Sequence, residues 1–191
     1  MSRFLTVGAG QLGPIARDDS RDEVVERLIA LLRDGASQGC ELVVFPELAL
    51  TTFFPRWYFP DSAELDQFYE TEMPNPSVQP LFDEARRLGV GFSLGYAEKT
   101  PDGRRFNTTI LVERDGAEVA RFRKVHIPGH EDHEPWRPFQ HLERRYFEES
   151  NEGFPVHKAF GGVIGMATCN DRRWPETYRV MGLQGVEMIL I

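Results

Sequence analysis

Three side chains in the sequence could together carry out acyl-transfer chemistry. Glu47 follows the apolar stretch VVFP, Lys124 follows ARFR, and Cys169 follows GVIGMAT. A thiolate attacks a carbonyl carbon, a carboxylate transfers protons, and an ammonium group stabilises the developing oxyanion. The three residue types therefore form one coherent chemical set. Taken singly, each is also typical of a buried core, a solvated strand edge or a turn.

The segment after Cys169, NDRRWPE, supplies further groups for such a site. A turn from a strand into a helix would expose the sulfur and direct the backbone N–H of Asn170 at a substrate oxygen. Arg172 and Arg173 carry forked donors that suit a substrate carboxylate. A neighbouring cation favours a thiolate, and Lys124 could also fill that role.

The histidines of HIPGHEDHE offer a rival site of a different class. This stretch holds side chains that could bind a metal ion for hydrolysis, namely His126, His130, His133, Glu131 and Glu134. Pro128 and Gly129 break the helical register that would align them on one face. A solvated polar loop explains the same residues equally well, so we expect no metal site.

The glycine-rich stretch VGAGQLG, residues 7–13, matches the G-x-G-x-x-G pattern of a dinucleotide-binding turn. In that motif the third glycine opens a helix, but here Pro14 follows at once and the next helical signal begins only at Ser20. Glu47 also lies well beyond the ~20 residues at which a ribose-binding carboxylate is expected. We therefore expect a glycine-rich loop after a strand and no nucleotide site.

Composition narrows the classes of protein. The 191 residues, 41% of them hydrophobic, can bury one sizeable core. A formal net charge of -8 argues against a nucleic-acid partner, which requires a basic face. No apolar run approaches the ~20 residues of a membrane span, and the N-terminus lacks a secretory leader, so we expect a cytoplasmic protein. Cys40 and Cys169 do not indicate a disulfide scaffold.

The elements that must position the candidate residues begin as a β-α-β unit. Ser20 and Glu23 form a capping-box pattern before a helix of about residues 21–34, and ELVVF forms the next strand. Two more helices are expected around residues 62–71 and 77–88.

The middle of the chain is rich in strands. VGFSLGYAE, FNTTILVER and AEVARFRK are strand patterns, the last two joined by a hairpin turn at Asp115-Gly116. Residues 125–153 lack periodicity, and a loop of this length is more typical of a functional segment. GGVIGMATC then predicts a buried strand, Pro175 the first turn of a helix, and VEMILI another strand.

Longer strings of sequence are far more specific than these short patterns. The chain resembles the nitrilase superfamily of carbon-nitrogen hydrolases, and within it the N-carbamoyl-D-amino acid amidohydrolases, through FPELALTTFFPRW, FYETEMP, RFNTTIL, RPFQHLERRYFE and CNDRRWPE. Members of that superfamily use Glu, Lys and Cys in this order. The resemblance implies an α/β fold, the α-β-β-α sandwich, with no metal and no organic cofactor. It also implies Glu47 as general base, Lys124 as oxyanion stabiliser and Cys169 as nucleophile.

The resemblance further implies a reaction and a substrate. The thiolate attacks the ureido carbonyl of an N-carbamoyl-D-amino acid, ammonia leaves, and water activated by Glu47 releases the D-amino acid and carbon dioxide. Arg172 and Arg173 correspond to residues associated with the substrate carboxylate. Other residues that fall in stretches resembling the surroundings of the active site are Asn170, His126, His141 and Glu143. The family also suggests a homo-oligomer.

Length is the one departure from the family, whose sandwich continues well beyond the position of Ile191. We therefore expect residues 1–191 to form one carbon-nitrogen hydrolase domain, truncated at its C-terminal side and not competent alone. The alternatives are another nitrilase-family amidase or ureido hydrolase, or a non-catalytic fragment.

Overall fold

Two β-sheets lie face to face in the computed structural model, which describes residues 3–191. The first sheet contains, in spatial order, β1 (Val7–Ala9), β2 (Leu42–Val44), β3 (Gly91–Lys99), β4 (Arg105–Val112) and β5 (Glu118–Arg123). The second contains β6 (Val156–Ala159), β7 (Gly162–Met166) and β8 (Met188–Leu190). Strands β1 to β3 are parallel, β3 to β5 antiparallel, and β7 pairs antiparallel with β6 and parallel with β8.

The α-helices are α1 (Arg21–Ser37), α2 (Ser62–Asp66), α3 (Gln79–Leu88), α4 (Glu143–Tyr146) and α5 (Pro175–Leu183). Helices α1 and α3 pack on the first sheet and α5 on the second, whereas Leu65 of α2 and Tyr146 of α4 belong to a separate apolar cluster. Among the helices of residues 3–191, none combines the length and the apolar composition needed to cross a membrane.

Helix α1 begins where the capping-box pattern predicts. The Ser20 hydroxyl accepts a hydrogen bond from the Glu23 backbone N–H, and the Glu23 carboxylate accepts one from the Ser20 backbone N–H at 2.9 Å. Val24, Leu28 and Leu32 are fully buried because the apolar residues recur at helical spacing. They pack with α3 against the first sheet, which forms the first core of the protein.

A second core fills the space between the sheets. Leu42 and Leu111 of the first sheet share it with Ile164 and Met166 of the second. Helix α5 covers the other side of the second sheet at Gly165, where a Cβ atom would lie only 2.3 Å from the Met181 sulfur. The order helix, sheet, sheet, helix confirms the predicted α-β-β-α sandwich.

Most predicted elements are present, with shifted bounds. The Asp115-Gly116 hairpin turn is confirmed, with Gly116 at φ 81°, and Pro175 opens α5. Strand β6 is not predicted by the sequence pattern, and α2 is shorter than the 62–71 expected.

The glycine-rich stretch forms edge strand β1 at Val7–Ala9 and then the loop expected after a strand, from Gly10 onwards. Both parts pack closely: a Cβ atom at Gly8 would lie 2.9 Å from the Cys40 sulfur, and one at Gly10 would lie 2.9 Å from the Phe45 ring. Glycine lets this strand approach its neighbours.

Candidate active site

The three candidate catalytic side chains follow three strands whose ends meet at one edge of the sandwich. Lys124 comes directly after β5, whereas Glu47 and Cys169 lie in the turns that follow β2 and β7. Reactive groups in α/β proteins are commonly placed where strands end, because the sheet fixes their positions while the loops stay accessible. The structure therefore brings together residues that are far apart in sequence.

Lys124 is the centre of a buried ion cluster. Its side chain has no exposed surface, and its Nζ donates to Glu47 Oε1 at 2.7 Å and to Glu143 Oε2 at 2.6 Å. Burial on its own would lower the pKa of Lys124, but the two carboxylates outweigh it and raise that pKa. The ammonium group is therefore charged at neutral pH, and it neutralises one of the two acids.

Glu47 is oriented by a second donor. The Asn107 side-chain amide donates to Glu47 Oε1 at 2.6 Å, and Asn107 is fully buried in β4. The amide and the Lys124 ammonium both use Oε1, which leaves Oε2 to exchange a proton with a reacting group. The Asn107 backbone carbonyl also accepts from the Lys124 backbone N–H at 2.8 Å. Asn107 thus contacts two of the three candidate catalytic residues.

The Glu47 turn crosses the sheet at a glycine. A Cβ atom at Gly95 would lie 2.8 Å from the Pro46 carbonyl oxygen and 2.9 Å from Glu47 Cα, too close for any other residue. Leu48, the next residue, has φ 50°, a conformation that residues with a Cβ atom rarely adopt. Close packing therefore fixes the backbone that carries the carboxylate.

Cys169 lies on a sharp turn. It opens the short 3₁₀ helix Cys169–Arg173, and its φ of 46° is in the left-handed region. With Glu47, Thr109 and Thr168 it lines a cavity of about 20 Å³, so the thiol and the carboxylate face the same small space. The predicted turn from a strand to a helix is present.

Opposing effects determine the ionisation of Cys169. Burial raises the pKa of the thiol, the negative charges of Glu47 and Glu143 act in the same direction, and Lys124 opposes them. Lys124 favours the thiolate, as expected, but burial and the two carboxylates together outweigh it. The thiol is protonated at neutral pH and needs a base, and Glu47 is the acid that shares its cavity.

Glu143 extends the cluster towards solvent. Its Oε1 lies 2.8 Å from His141 Nε2, and the His141 side chain is 46% exposed. The Phe53 ring meets the His141 ring edge-on at 5.8 Å. Glu143 and His141, both named by the resemblance, thus connect the buried Lys124 to the surface.

His126 and Asn170 make different contacts. The backbone N–H of His126 donates to Asp171 Oδ1 at 2.8 Å, and its Nδ1 lies 2.9 Å from the same oxygen. The Asn170 side-chain amide donates to the His126 carbonyl at 3.1 Å. These side chains connect the Cys169 turn to the segment that follows Lys124.

Arg172 and Arg173 lie on the Cys169 turn and are exposed. Arg172 Nη1 donates to the Cys169 carbonyl at 3.3 Å. Within residues 3–191 neither guanidinium group forms an ion pair. Both can therefore receive an external carboxylate.

The other histidines of the rival metal site have separate partners. The His133 ring stacks on Tyr58 with centroids 4.0 Å apart, and His130 Nε2 lies 3.5 Å from Glu134 Oε2. Within residues 3–191, His, Cys, Asp and Glu side chains form no group of three or more that could hold a metal ion.

Two site residues were missed by the sequence reasoning, Asn107 and Asp171. An available signal for Asn107 was its type, because asparagine is depleted in strands and RFNTTIL places it inside one. The signal for Asp171 was weaker: it is an acidic residue two positions after the candidate nucleophile Cys169. Both side chains are fully buried, and both contact the turns that carry the candidate catalytic residues.

The arrangement can perform nucleophilic acyl transfer. Glu47 can remove the thiol proton of Cys169, the sulfur can attack a carbonyl carbon, and Lys124 provides fixed positive charge for the oxyanion. Glu47 can then activate water to release the acyl group.

Curated relatives have similar sequences over nearly all of the chain. An N-carbamoylputrescine amidase of Solanum lycopersicum is 27% identical over 191 residues, which cover 98% of this chain and 58% of the relative. A citrullinase of Francisella tularensis is 25% identical, covering 91% of this chain and 56% of the relative. The chain thus spans less than two thirds of the length of these relatives.

A solved structure and the sequence pattern of a protein family also match this chain, and both are described as carbon-nitrogen hydrolases. A carbon-nitrogen hydrolase of Helicobacter pylori matches with a TM-score of 0.76 at 24% identity, covering 97% of this chain and 58% of that chain. The sequence pattern of the family described as carbon-nitrogen hydrolase matches residues 6–191. The chain therefore belongs to the carbon-nitrogen hydrolase family, within the nitrilase superfamily that its sequence resembles.

Proposed function

We propose that this protein hydrolyses N-carbamoyl-D-amino acids to the D-amino acid, ammonia and carbon dioxide, with Cys169 as nucleophile. The observation that carries the proposal is the Lys124 ammonium held at 2.7 Å from Glu47, whose carboxylate lines the same cavity as Cys169. A base, a fixed cation and a thiol in one place suit covalent cleavage of a carbon-nitrogen bond.

In the first half-reaction, Glu47 takes the thiol proton and the sulfur forms a bond to the ureido carbonyl carbon. Lys124 and the Asn170 backbone N–H stabilise the oxyanion. The terminal nitrogen receives the proton from Glu47 and leaves as ammonia, so that Cys169 carries the N-substituted carbamoyl group as a thioester.

The second half-reaction regenerates the enzyme. Glu47 removes a proton from water, the hydroxide attacks the thioester carbonyl, and the Cys169 sulfur leaves and recovers the proton. The product is an N-carboxy amino acid, which loses carbon dioxide to give the free amino acid. No metal ion or organic cofactor enters these steps.

The positive charges at the edge of the site favour a substrate that carries a carboxylate. Arg172 and Arg173 place two positive charges on the same turn as Cys169, which favours an anion and disfavours an ammonium group. The names of the relatives support a ureido reaction centre, since N-carbamoylputrescine and citrulline are both ureido compounds. The preference for the D-series comes from the resemblance in the sequence strings.

The test is ammonia release from an N-carbamoyl-D-amino acid, its L-enantiomer and N-carbamoylputrescine. We expect the D-acid to have the highest kcat/KM. Cys169→Ala is expected to abolish turnover, and Cys40→Ala, the matched control at the other cysteine, to retain it. A higher kcat/KM for N-carbamoylputrescine would replace the proposed substrate, and turnover by Cys169→Ala would reject the mechanism.

A further inference from the structure

We propose that Asp171 is a positioning residue, whose buried carboxylate holds the Cys169 turn against the segment that carries Lys124. The inference rests on the proposed role of Cys169 as nucleophile, and it goes beyond that role by naming what keeps the sulfur in place.

The carboxylate of Asp171 connects two segments that are distant in sequence. Its Oδ1 accepts from the His126 backbone N–H at 2.8 Å and lies 2.9 Å from His126 Nδ1. Its Oδ2 accepts from the Thr168 backbone N–H at 3.1 Å. His126 is two residues after Lys124, and Thr168 immediately precedes Cys169. One side chain therefore sets the separation between the ammonium group and the thiol.

The burial of Asp171 makes this connection rigid. Asp171 has no exposed surface, and its only ionic partner within residues 3–191 is the His126 ring. A buried carboxylate must keep its donors, because an unpaired charge in the interior is strongly destabilising. The backbone donors at His126 and Thr168 cannot move without leaving that charge unsatisfied.

Packing holds the His126 side of the connection. The His126 ring lies between Trp174, with centroids 5.0 Å apart, and Phe154, at 5.7 Å. The Asn170 amide also donates to the His126 carbonyl at 3.1 Å. The segment after Lys124 thus meets the Cys169 turn through several contacts that converge on Asp171.

The conformation of Cys169 explains why such a connection is needed. Its φ of 46° is unfavourable for a residue with a Cβ atom and persists only where the surroundings impose it. Asp171 bonds back to Thr168 twice, since its backbone N–H also donates to the Thr168 carbonyl at 3.0 Å. These two bonds close the turn around Cys169.

The experiment compares Asp171→Asn with Thr177→Val in the purified protein. Asparagine keeps the size of the side chain but offers one acceptor oxygen in place of two. Thr177 is equally buried and donates to the Asp171 backbone carbonyl at 2.9 Å, so its valine variant disturbs the same turn without touching the carboxylate. Melting temperature, kcat, KM and the rate of Cys169 alkylation by iodoacetamide are measured for both.

We expect Asp171→Asn to lower kcat by about 100-fold, the typical cost of a small misplacement of a reacting group, with KM within about two-fold of wild type. The alkylation rate of Cys169 should change in the same variant. Thr177→Val should lower the melting temperature and leave kcat and the alkylation rate unchanged. Equal kcat and alkylation rates in Asp171→Asn and Thr177→Val would overturn the inference and leave Asp171 a structural residue.

Two further variants cover the remaining outcomes. If Asp171→Asn does not fold, Asp171→Glu keeps a carboxylate but displaces it by one methylene from the backbone donors of His126 and Thr168; a kcat and an alkylation rate equal to wild type in that variant also overturn the inference. Turnover by Cys169→Ala would reject the proposed function itself. Alkylation needs no substrate, so unchanged labelling in Asp171→Asn, with Cys169→Ala inactive, rejects the role of Asp171 alone.

Discussion

Lys124 and Glu143 inside the site contrast with Arg172 and Arg173 at its edge. Inside, both side chains are almost completely buried and hydrogen-bonded to each other at 2.6 Å. At the edge, both arginines are exposed, and within the described chain neither has an acidic partner. Charged side chains are therefore buried and paired inside the site, and exposed to solvent at its edge.

The difference in burial separates the residues proposed to act in the reaction from those proposed to bind the substrate. A buried charge that loses its partner destabilises the fold, so few substitutions of Lys124 or Glu143 can be tolerated. An exposed charge contributes little to the free energy of unfolding, so Arg172 and Arg173 can be substituted with little loss of stability. We therefore expect substitutions inside to affect stability and kcat together, and substitutions at the edge to affect KM.

Lys124→Met should have the largest effect. It leaves Glu47 and Glu143 as two carboxylates without their shared cation, so we expect a loss of about 3–5 kcal/mol in the free energy of unfolding. The loss of oxyanion stabilisation should also lower kcat by about 100- to 1,000-fold. Urea unfolding and ammonia release measure the two effects. Lys158→Met, at an exposed position of β6, is the control and should change neither.

Asn107→Leu should have an intermediate effect. The leucine is similar in size but cannot donate to Glu47, and a hydrogen bond to a charged group contributes about 1.5–3 kcal/mol, equivalent to roughly 10- to 100-fold in kcat. Thr108→Val is the control, because Thr108 is equally buried and donates to Glu98, away from the site. Steady-state kinetics should show the loss of kcat only in Asn107→Leu; equal kcat in the two variants would remove Asn107 from the site.

Arg172→Ala and Arg173→Ala should have the smallest effects. Because both side chains are exposed, each ion pair with a substrate carboxylate is expected to contribute up to about 1 kcal/mol, or up to about five-fold in KM. The rise should occur for the N-carbamoyl acid and not for its neutral amide. Arg179→Ala, an exposed arginine of α5, is the control. An unchanged preference for the acid in both variants would place the carboxylate elsewhere.

Much of the scaffold could be predicted from the sequence because its signals are local. The capping box of α1, the Asp115-Gly116 turn and the proline that opens α5 each depend on a few adjacent residues. The close packing of β1 could not be predicted from the sequence, because the space at Gly8 is limited by Cys40, which is far along the chain.

The convergence of the candidate residues was predictable, and their interactions were less so. Glu47, Lys124 and Cys169 were expected to lie close together from their types and positions after strands, and they do. The raised pKa of Cys169 could not be predicted, since it depends on burial and on the nearby negative charges of Glu47 and Glu143. The roles of Asn107 and Asp171 depend on contacts across the sandwich that no local pattern contains.

The role of Cys169 as nucleophile is tested by identifying the cysteine that iodoacetamide modifies. Peptide mapping after complete inactivation should find one label per chain, on Cys169, with Cys40 unmodified. Because burial raises the pKa of Cys169, labelling should become faster as pH rises from about 7 to 9, as the thiol ionises. Inactivation with the label on Cys40 alone would rule out Cys169 as the nucleophile.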